Sequence, residues 1–208
     1  MNRETKPIPE FTRLEQCLLA SGVVFELSEQ RVIYNDCYDE EFYTLVLQKG
    51  SVAIHRQQDD LLLEIVTAPF IFGLNEGMME SGMKYTLITQ SACTGFYLPA
   101  QTARNIIQHS HLWREAFCWL SWINRLLEIR DGQLIGSNSY GQIRATLLDM
   151  ANWDEVLRSQ IGVMAYIQRR TRISRSVIAD VLAALRKGNY INMKQGKLVS
   201  ISHLPVEY

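Results

Sequence analysis

Between Phe42 and Ile54 the chain carries a two-residue side-chain period that folds back on itself. Tyr43, Leu45 and Leu47 alternate with Phe42, Thr44 and Val46; Lys49-Gly50 supplies a turn; Val52 and Ile54 then alternate with Ala53 and His55. A period of two belongs to a strand, and Gly at the reversal tolerates positive φ, so the stretch is satisfied by a β-hairpin and not by a helix. A second reversal at Gln57-Gln58-Asp59-Asp60 leads into residues 61–66, and residues 85–89 and 96–98 add further β-rich runs. Short strands at even spacing from about Val23 to Leu98 predict an antiparallel barrel, roll or sandwich. Residues 69–77 (Pro-Phe-Ile-Phe-Gly-Leu-Asn-Glu-Gly) break the alternation and read as a tight apolar loop.

After Pro99 the period changes to that of a helix. Residues 101–107 form a short one, and Ser110 is placed to cap a longer one. Along the longer segment Leu112, Ala116, Trp119, Ile123 and Leu126 recur at spacings of four and three, with Trp113, Phe117, Leu120 and Leu127 as an adjoining stripe. Two apolar stripes exceed what one surface covers, so one is expected to pack on its own domain and the other on a second copy of the chain. The first stripe is assigned here to the homodimer seam; burial within one chain is the competing reading. Gly136-Ser137-Asn138-Ser139-Tyr140-Gly141 marks a flexible joint.

The charge changes sign at that joint. Residues 1–138 hold 11 basic against 17 acidic side chains, whereas residues 139–208 hold 10 against 5. Between Val163 and Lys197 eight cations face Asp180 alone, a density that commonly meets phosphates. Ile143, Leu147, Leu148 and Met150 outline a first helix of this basic module, and residues 156–171 show helical spacing again. Thr171-Arg172-Ile173 is a short break, and Ser174 caps a third helix with Val177, Ile178, Val181, Leu182 and Leu185 on its buried face. Its other face is slim and polar, as a helix entering the major groove requires. Arg175 suits a bidentate contact to guanine, Ser176 and Asp180 suit neighbouring base edges, and Ala179 suits a thymine methyl. Residues 190–193, a turn at Lys194-Gln195-Gly196-Lys197 and residues 198–201 then make a two-stranded wing. Arg169, Arg170, Arg172, Lys194 and Lys197 are the expected phosphate contacts.

A β-rich domain, a long helix and a winged helix-turn-helix, in that order, resemble the superfamily of the cyclic-AMP receptor protein and the fumarate-nitrate respiration regulator. Phe42-Tyr-Thr-Leu-Val-Leu-Gln-Lys-Gly-Ser-Val-Ala-Ile looks like its β-roll core, and residues 174–185 look like its recognition helix. Leu112-Trp-Arg-Glu-Ala-Phe-Cys-Trp and Ile143-Arg-Ala-Thr-Leu look most like an enterobacterial branch of peroxide-resistance inhibitors. The resemblance implies an α+β chain with three parts. These are a cyclic-nucleotide-binding-like antiparallel β-roll with flanking helices over residues 1–108, a long dimerisation helix and hinge over 109–137, and a winged helix-turn-helix over 138–208. It further implies a cytoplasmic homodimer that regulates the oxidative stress response on double-stranded promoter DNA, with RNA polymerase as a further partner.

The sequence departs from that superfamily where ligands bind. Its nucleotide binders use a Gly-Glu-Leu loop and an Arg followed by Ser or Thr; here the stretches read Phe72-Gly73-Leu74-Asn75 and Met83-Lys84-Tyr85-Thr86, so the Glu is missing unless Glu76 substitutes, and Lys84 lacks the forked guanidinium. A degenerate nucleotide pocket follows. Cys17, Cys37, Cys93 and Cys118 are too scattered for an iron-sulfur cluster or a zinc ribbon, and His55, His109 and His111 make no ligand set, so no cofactor and no metal is expected. A redox-sensing thiol needs exposure and nearby positive charge, which leaves Cys118 and Cys17 as the candidates. In the turn, Arg172 stands where the superfamily has Gly, so an L-residue there meets positive φ. No apolar run reaches the length of a membrane span, and the charged N-terminus reads as no secretory signal. Nucleophile-elbow, zinc-protease and phosphate-loop motifs are missing from the sequence, so an enzyme is not expected. The alternative is a protein-interaction adaptor that keeps the regulator fold without reading DNA.

Overall fold

In the computed structural model, residues 5–35, 41–79 and 82–206 are described; Cys37 lies outside them. The chain divides into two compact units, residues 1–127 and 128–208.

The first unit opens with α1 (Ile8–Leu18), which the two-residue alternation did not flag although Phe11, Leu14 and Leu18 lie on one buried face. Eight strands follow: β1 (Val23–Leu27), β2 (Val32–Asn35), β3 (Tyr43–Lys49), β4 (Ser51–Arg56), β5 (Leu61–Thr67), β6 (Phe70–Phe72), β7 (Tyr85–Thr89) and β8 (Cys93–Pro99). They form two four-stranded antiparallel sheets, ordered β1-β8-β3-β6 and β2-β7-β4-β5. The expected turn at Lys49-Gly50 is present, with Gly50 at φ 92° and a Cβ there falling 2.3 Å from the Ala92 carbonyl oxygen. It closes no hairpin: β3 pairs with β6 and β8 and β4 with β5 and β7, so the turn carries the chain from one sheet to the other. Residues 70–72, expected as loop, are a strand, because Leu47, Val46 and Leu45 offer Phe70, Ile71 and Phe72 a ladder. The loop begins instead at Gly73, φ 71°.

Edge-to-face rings join the sheets. Tyr97–Tyr43 (5.6 Å), Tyr43–Tyr34 (6.4 Å), Tyr34–Phe72 (5.7 Å) and Phe72–Tyr85 (5.6 Å) run as one series from the first sheet to the second. Such pairs add about 0.5–1.5 kcal/mol each beyond area burial. Helix α2 (Ala100–His109) buries Ala100, Ala103 and Ile107. Ser110 closes α2, its N–H donating to the Ile106 carbonyl at 2.8 Å, and is not the cap of the long helix, which starts three residues later. That helix, α3 (Trp113–Leu134), is shared between the units. Leu112 just before it, with Ala116 and Trp119, joins the core formed by both sheets and α1.

In the second unit α4 (Ser139–Ala151), α5 (Glu155–Gln160), α6 (Val163–Thr171) and α7 (Arg175–Lys187) precede the hairpin β9 (Ile191–Lys194) and β10 (Lys197–Ile201). The joint is shorter than expected. Asn138 caps α4 by accepting the Gly141 N–H at 2.7 Å, and the buried Tyr140 donates its hydroxyl to the Pro205 carbonyl at 2.8 Å, so residues 139–141 are the first turn of a helix. Ile143, Leu147, Met150, Leu157, Val163, Ile167, Ile178, Leu182, Leu185, Ile191, Leu198 and Leu204 are buried in this unit.

Candidate nucleic-acid interface

Two helices and a turn set the reading surface. Helix α6 ends in an αL cap: Arg172 has φ 64° and its N–H donates to the Gln168 carbonyl at 2.9 Å. Ser174 then starts α7, its Oγ accepting the Val177 N–H at 3.4 Å and lying 3.1 Å from the Ser176 Oγ. Ile178, Leu182 and Leu185 hold α7 down, and Arg175, Ser176, Asp180, Ala183, Arg186 and Lys187 are left exposed along it. The far end closes as a Schellman motif, with Asn189 at φ 58° and Tyr190 N–H donating to the Leu185 carbonyl at 2.9 Å.

Of the base-reading candidates, Arg175, Ser176 and Asp180 are exposed and Ala179 is half-buried. Val177, assigned by periodicity to the buried face, is 39% exposed. Its helical angle lies at the border of the apolar stripe, where spacing alone cannot choose a side.

The phosphate candidates separate into three groups. Arg169, Arg172 and Lys194 are exposed. Arg170 is buried, its guanidinium 5.8 Å from the centre of the Tyr166 ring, and is removed from the phosphate set; as the last basic residue on the inner side of α6 it packs and does not project. Lys197 is half-buried, and its Nζ donates to the Gln160 carbonyl at the end of α5. With Val163 N–H donating to the Gly196 carbonyl at 3.0 Å, this fixes the wing to the helices. Gln195 (φ 50°) and Gly196 (φ 76°) make the two-residue turn with both φ positive, the type I′ geometry that matches strand twist.

The seam residues are also redistributed. Leu112, Ala116 and Trp119 are buried inside their own unit, Ile123 packs against that core, and Leu126 is half-buried. Trp119 Nε1 donates to the Ile71 carbonyl at 3.0 Å, and its ring meets Phe11, Phe70 and Trp122. The stripe assigned to a partner is therefore largely the one that packs at home. Of the adjoining stripe, Phe117 (72%), Leu127 (55%) and Trp113 (36%) are exposed, while Leu120 packs against the core. Both stripes are apolar, and helical spacing alone does not say which of them meets the sheets.

In the roll, Glu76 is buried and accepts from Asn75 Nδ2 at 3.1 Å, while Lys84 is exposed. Cys93 Sγ donates to the Ser51 and Ser91 carbonyls at 3.3 Å each, and burial pushes its thiol pKa up, which makes it unreactive. Cys17 and Cys118 are half-buried. Among the described residues no cluster of His, Cys, Asp or Glu could hold a metal ion, and no helix is long and apolar enough to cross a membrane.

A β-roll, a long helix and a winged helix-turn-helix, in that order, are the fold shared with solved structures of CRP/FNR-type regulators. Solved structures agree on the fold. The c-di-GMP responsive global regulator CLP of Xanthomonas campestris superposes with a TM-score of 0.73 at 18% identity, over 92% of this chain and 99% of that one. A crp/fnr-family regulator from Eubacterium rectale gives 0.66 at 12% identity, over 92% and 90%. The family model described as winged helix-turn-helix DNA binding matches residues 139–206. Proteins named inhibitor of hydrogen peroxide resistance, from Escherichia coli K12 and Salmonella typhimurium LT2, are each 52% identical over 204 residues, 98% of this chain and 98% of theirs. The chain belongs to that family.

Proposed function

We propose that this protein is a sequence-specific DNA-binding regulator that acts as a homodimer in the response to hydrogen peroxide. One observation carries the reading. The only polar face of α7 is solvent-exposed from its first turn, with Arg175, Ser176 and Asp180 outward, small Ala179 and Ala183 beside them, and the cations Arg169, Arg172 and Lys194 exposed on the same unit. That is the chemistry of base readout flanked by phosphate anchoring. The peroxide link rests on the name carried by the relatives. Phe117, Trp113 and Leu127 are the proposed seam between copies, and RNA polymerase is a proposed further partner. The roll is proposed to have lost cyclic-nucleotide binding: Glu76 is the one carboxylate of its loop among the described residues and is engaged by Asn75, and the anion-facing position holds exposed Lys84.

The test is genome-wide mapping of bound sites with and without peroxide. A shared inverted-repeat motif, with half-sites about one helical turn apart and occupancy that changes with peroxide, is expected. A chain that captures no common motif would be an adaptor instead.

A further inference from the structure

We infer that Val177 is a specificity-determining residue that reads the C5-methyl group of a pyrimidine, normally thymine, in the major groove; the inference deepens the DNA-regulator reading and rests on it. The argument begins with the helix itself. Ser174 is the N-cap of α7, so Val177 is the third helical residue. At that position a Ser cap is best answered by Glu or Gln, which return a hydrogen bond to the cap. Val forfeits that bond, and its branched Cβ is a poorer helix former than the straight-chain residues available. Burial recovers only part of the loss, since Val177 is 39% exposed while Ile178, Leu182 and Leu185 supply the buried face. A residue that local helix physics disfavours, held outward in the first turn, marks a site where another demand wins.

Its neighbours name that demand. Arg175 and Ser176 precede it and Asp180 follows on the exposed side. Those three are hydrogen-bonding groups suited to base edges, and none can recognise the one apolar feature of the groove, the thymine methyl. Ala179, the sequence-based candidate for that contact, is half-buried and a single carbon long. Val177 is longer, apolar and rigid at χ1, and its first-turn position is the one from which side chains reach base edges.

The experiment measures affinity for the operator duplex recovered by the mapping above, at fixed salt, with each thymine in a half-site replaced singly by uracil. Wild type is expected to lose about four-fold at one thymine, the worth of a buried methyl. Val177→Ala should lose a similar factor on the thymine duplex and become indifferent to uracil at that position. Val177→Thr, which keeps one methyl and the branched shape, serves as a second variant with the same fold, and should show an intermediate sensitivity. Placing 5-methylcytosine against unmethylated cytosine at that position should recover part of the wild-type affinity. Sequence-specific binding without sensitivity to any uracil, or with sensitivity unchanged in Val177→Ala, would overturn the inference alone. No sequence-specific binding in wild type would overturn the regulator reading and the inference together.

Discussion

The Lys197 ammonium donates to the backbone carbonyl of Gln160, tying the first residue of β10 to the last residue of α5. Lys194, three residues earlier on the same hairpin, is exposed. Two lysines flanking one turn therefore have different jobs, and their variants should differ in kind. Lys194→Ala is expected to weaken binding to all DNA sequences alike and to reduce the slope of log affinity against log salt by about 1. Lys197→Ala should instead lower stability by about 0.5–1 kcal/mol in urea titration, the net worth of one partly exposed hydrogen bond. Equal effects of the two on the salt slope would contradict the division.

Arg172 at φ 64° holds a conformation that L-residues adopt at a penalty of about 1–2 kcal/mol. Glycine relieves it while losing about 0.5–1 kcal/mol to unfolded-state entropy. Arg172→Gly is thus expected to raise the thermal midpoint modestly, by the equivalent of up to about 1 kcal/mol, while weakening DNA binding without altering sequence preference. Calorimetry and binding on matched samples read both effects. A lowered midpoint would mean that the native contacts of Arg172 outweigh the backbone strain.

Trp119 and Phe117 lie two residues apart on α3 and face opposite demands: Trp119 is fully buried, Phe117 72% exposed. Trp119→Phe leaves the Ile71 carbonyl without its indole donor and should destabilise by about 1–2 kcal/mol. Trp119→Ala should cost about 3–5 kcal/mol. Phe117→Ala should stay within about 0.5 kcal/mol in the unfolding of the monomer, yet weaken self-association in sedimentation equilibrium. Unchanged association in Phe117→Ala would move the seam elsewhere.

Arg13 Nη1 donates to Glu115 Oε1 at 2.7 Å, and Arg114 lies 3.9 Å from the same oxygen. The Arg13 hydrogen bond, first among the causes, holds the Glu115 carboxyl below the usual carboxylate range. A folded-state pKa below the unfolded one gives stability that is present above the ordinary Glu range and is lost as pH falls through the folded value. Urea midpoints should therefore decline on acidification across that window in wild type. Glu115→Gln should start lower at neutral pH and decline less. Parallel profiles for the two proteins would contradict the pairing of α1 with α3.

How much of this was legible in the sequence follows from which physical signals are local. The turn at Gly50, the wing at Gln195-Gly196 and the Ser174 cap are set by neighbours in the chain, and each lies where spacing placed it. That β3 and β4 pair in different sheets and not with each other is a long-range property, which the expected hairpin missed. Strand β6 was hidden because residues 70–72 lack alternation, having β3 on one side and apolar packing around them. On α3 and α7 the errors share one cause. Periodicity gives the angle between side chains but not the direction in which the helix meets its neighbour, so Trp119 was assigned to a partner and Val177 to the core. Arg170 failed for the complementary reason: charge density counts cations without saying which of them Tyr166 covers.

The central claim is that α7 reads base edges, and Arg175 bears most of it. The direct measurement is the affinity of wild type and Arg175→Ala for the mapped operator and for a scrambled duplex, each across a salt series. Wild type should prefer the operator at every salt concentration, and Arg175→Ala should lose about 1–3 kcal/mol on the operator alone, with the scrambled duplex and its salt slope nearly unchanged. Equal affinity of wild type for operator and scrambled DNA, or an Arg175→Ala protein that keeps the full preference, would contradict the account.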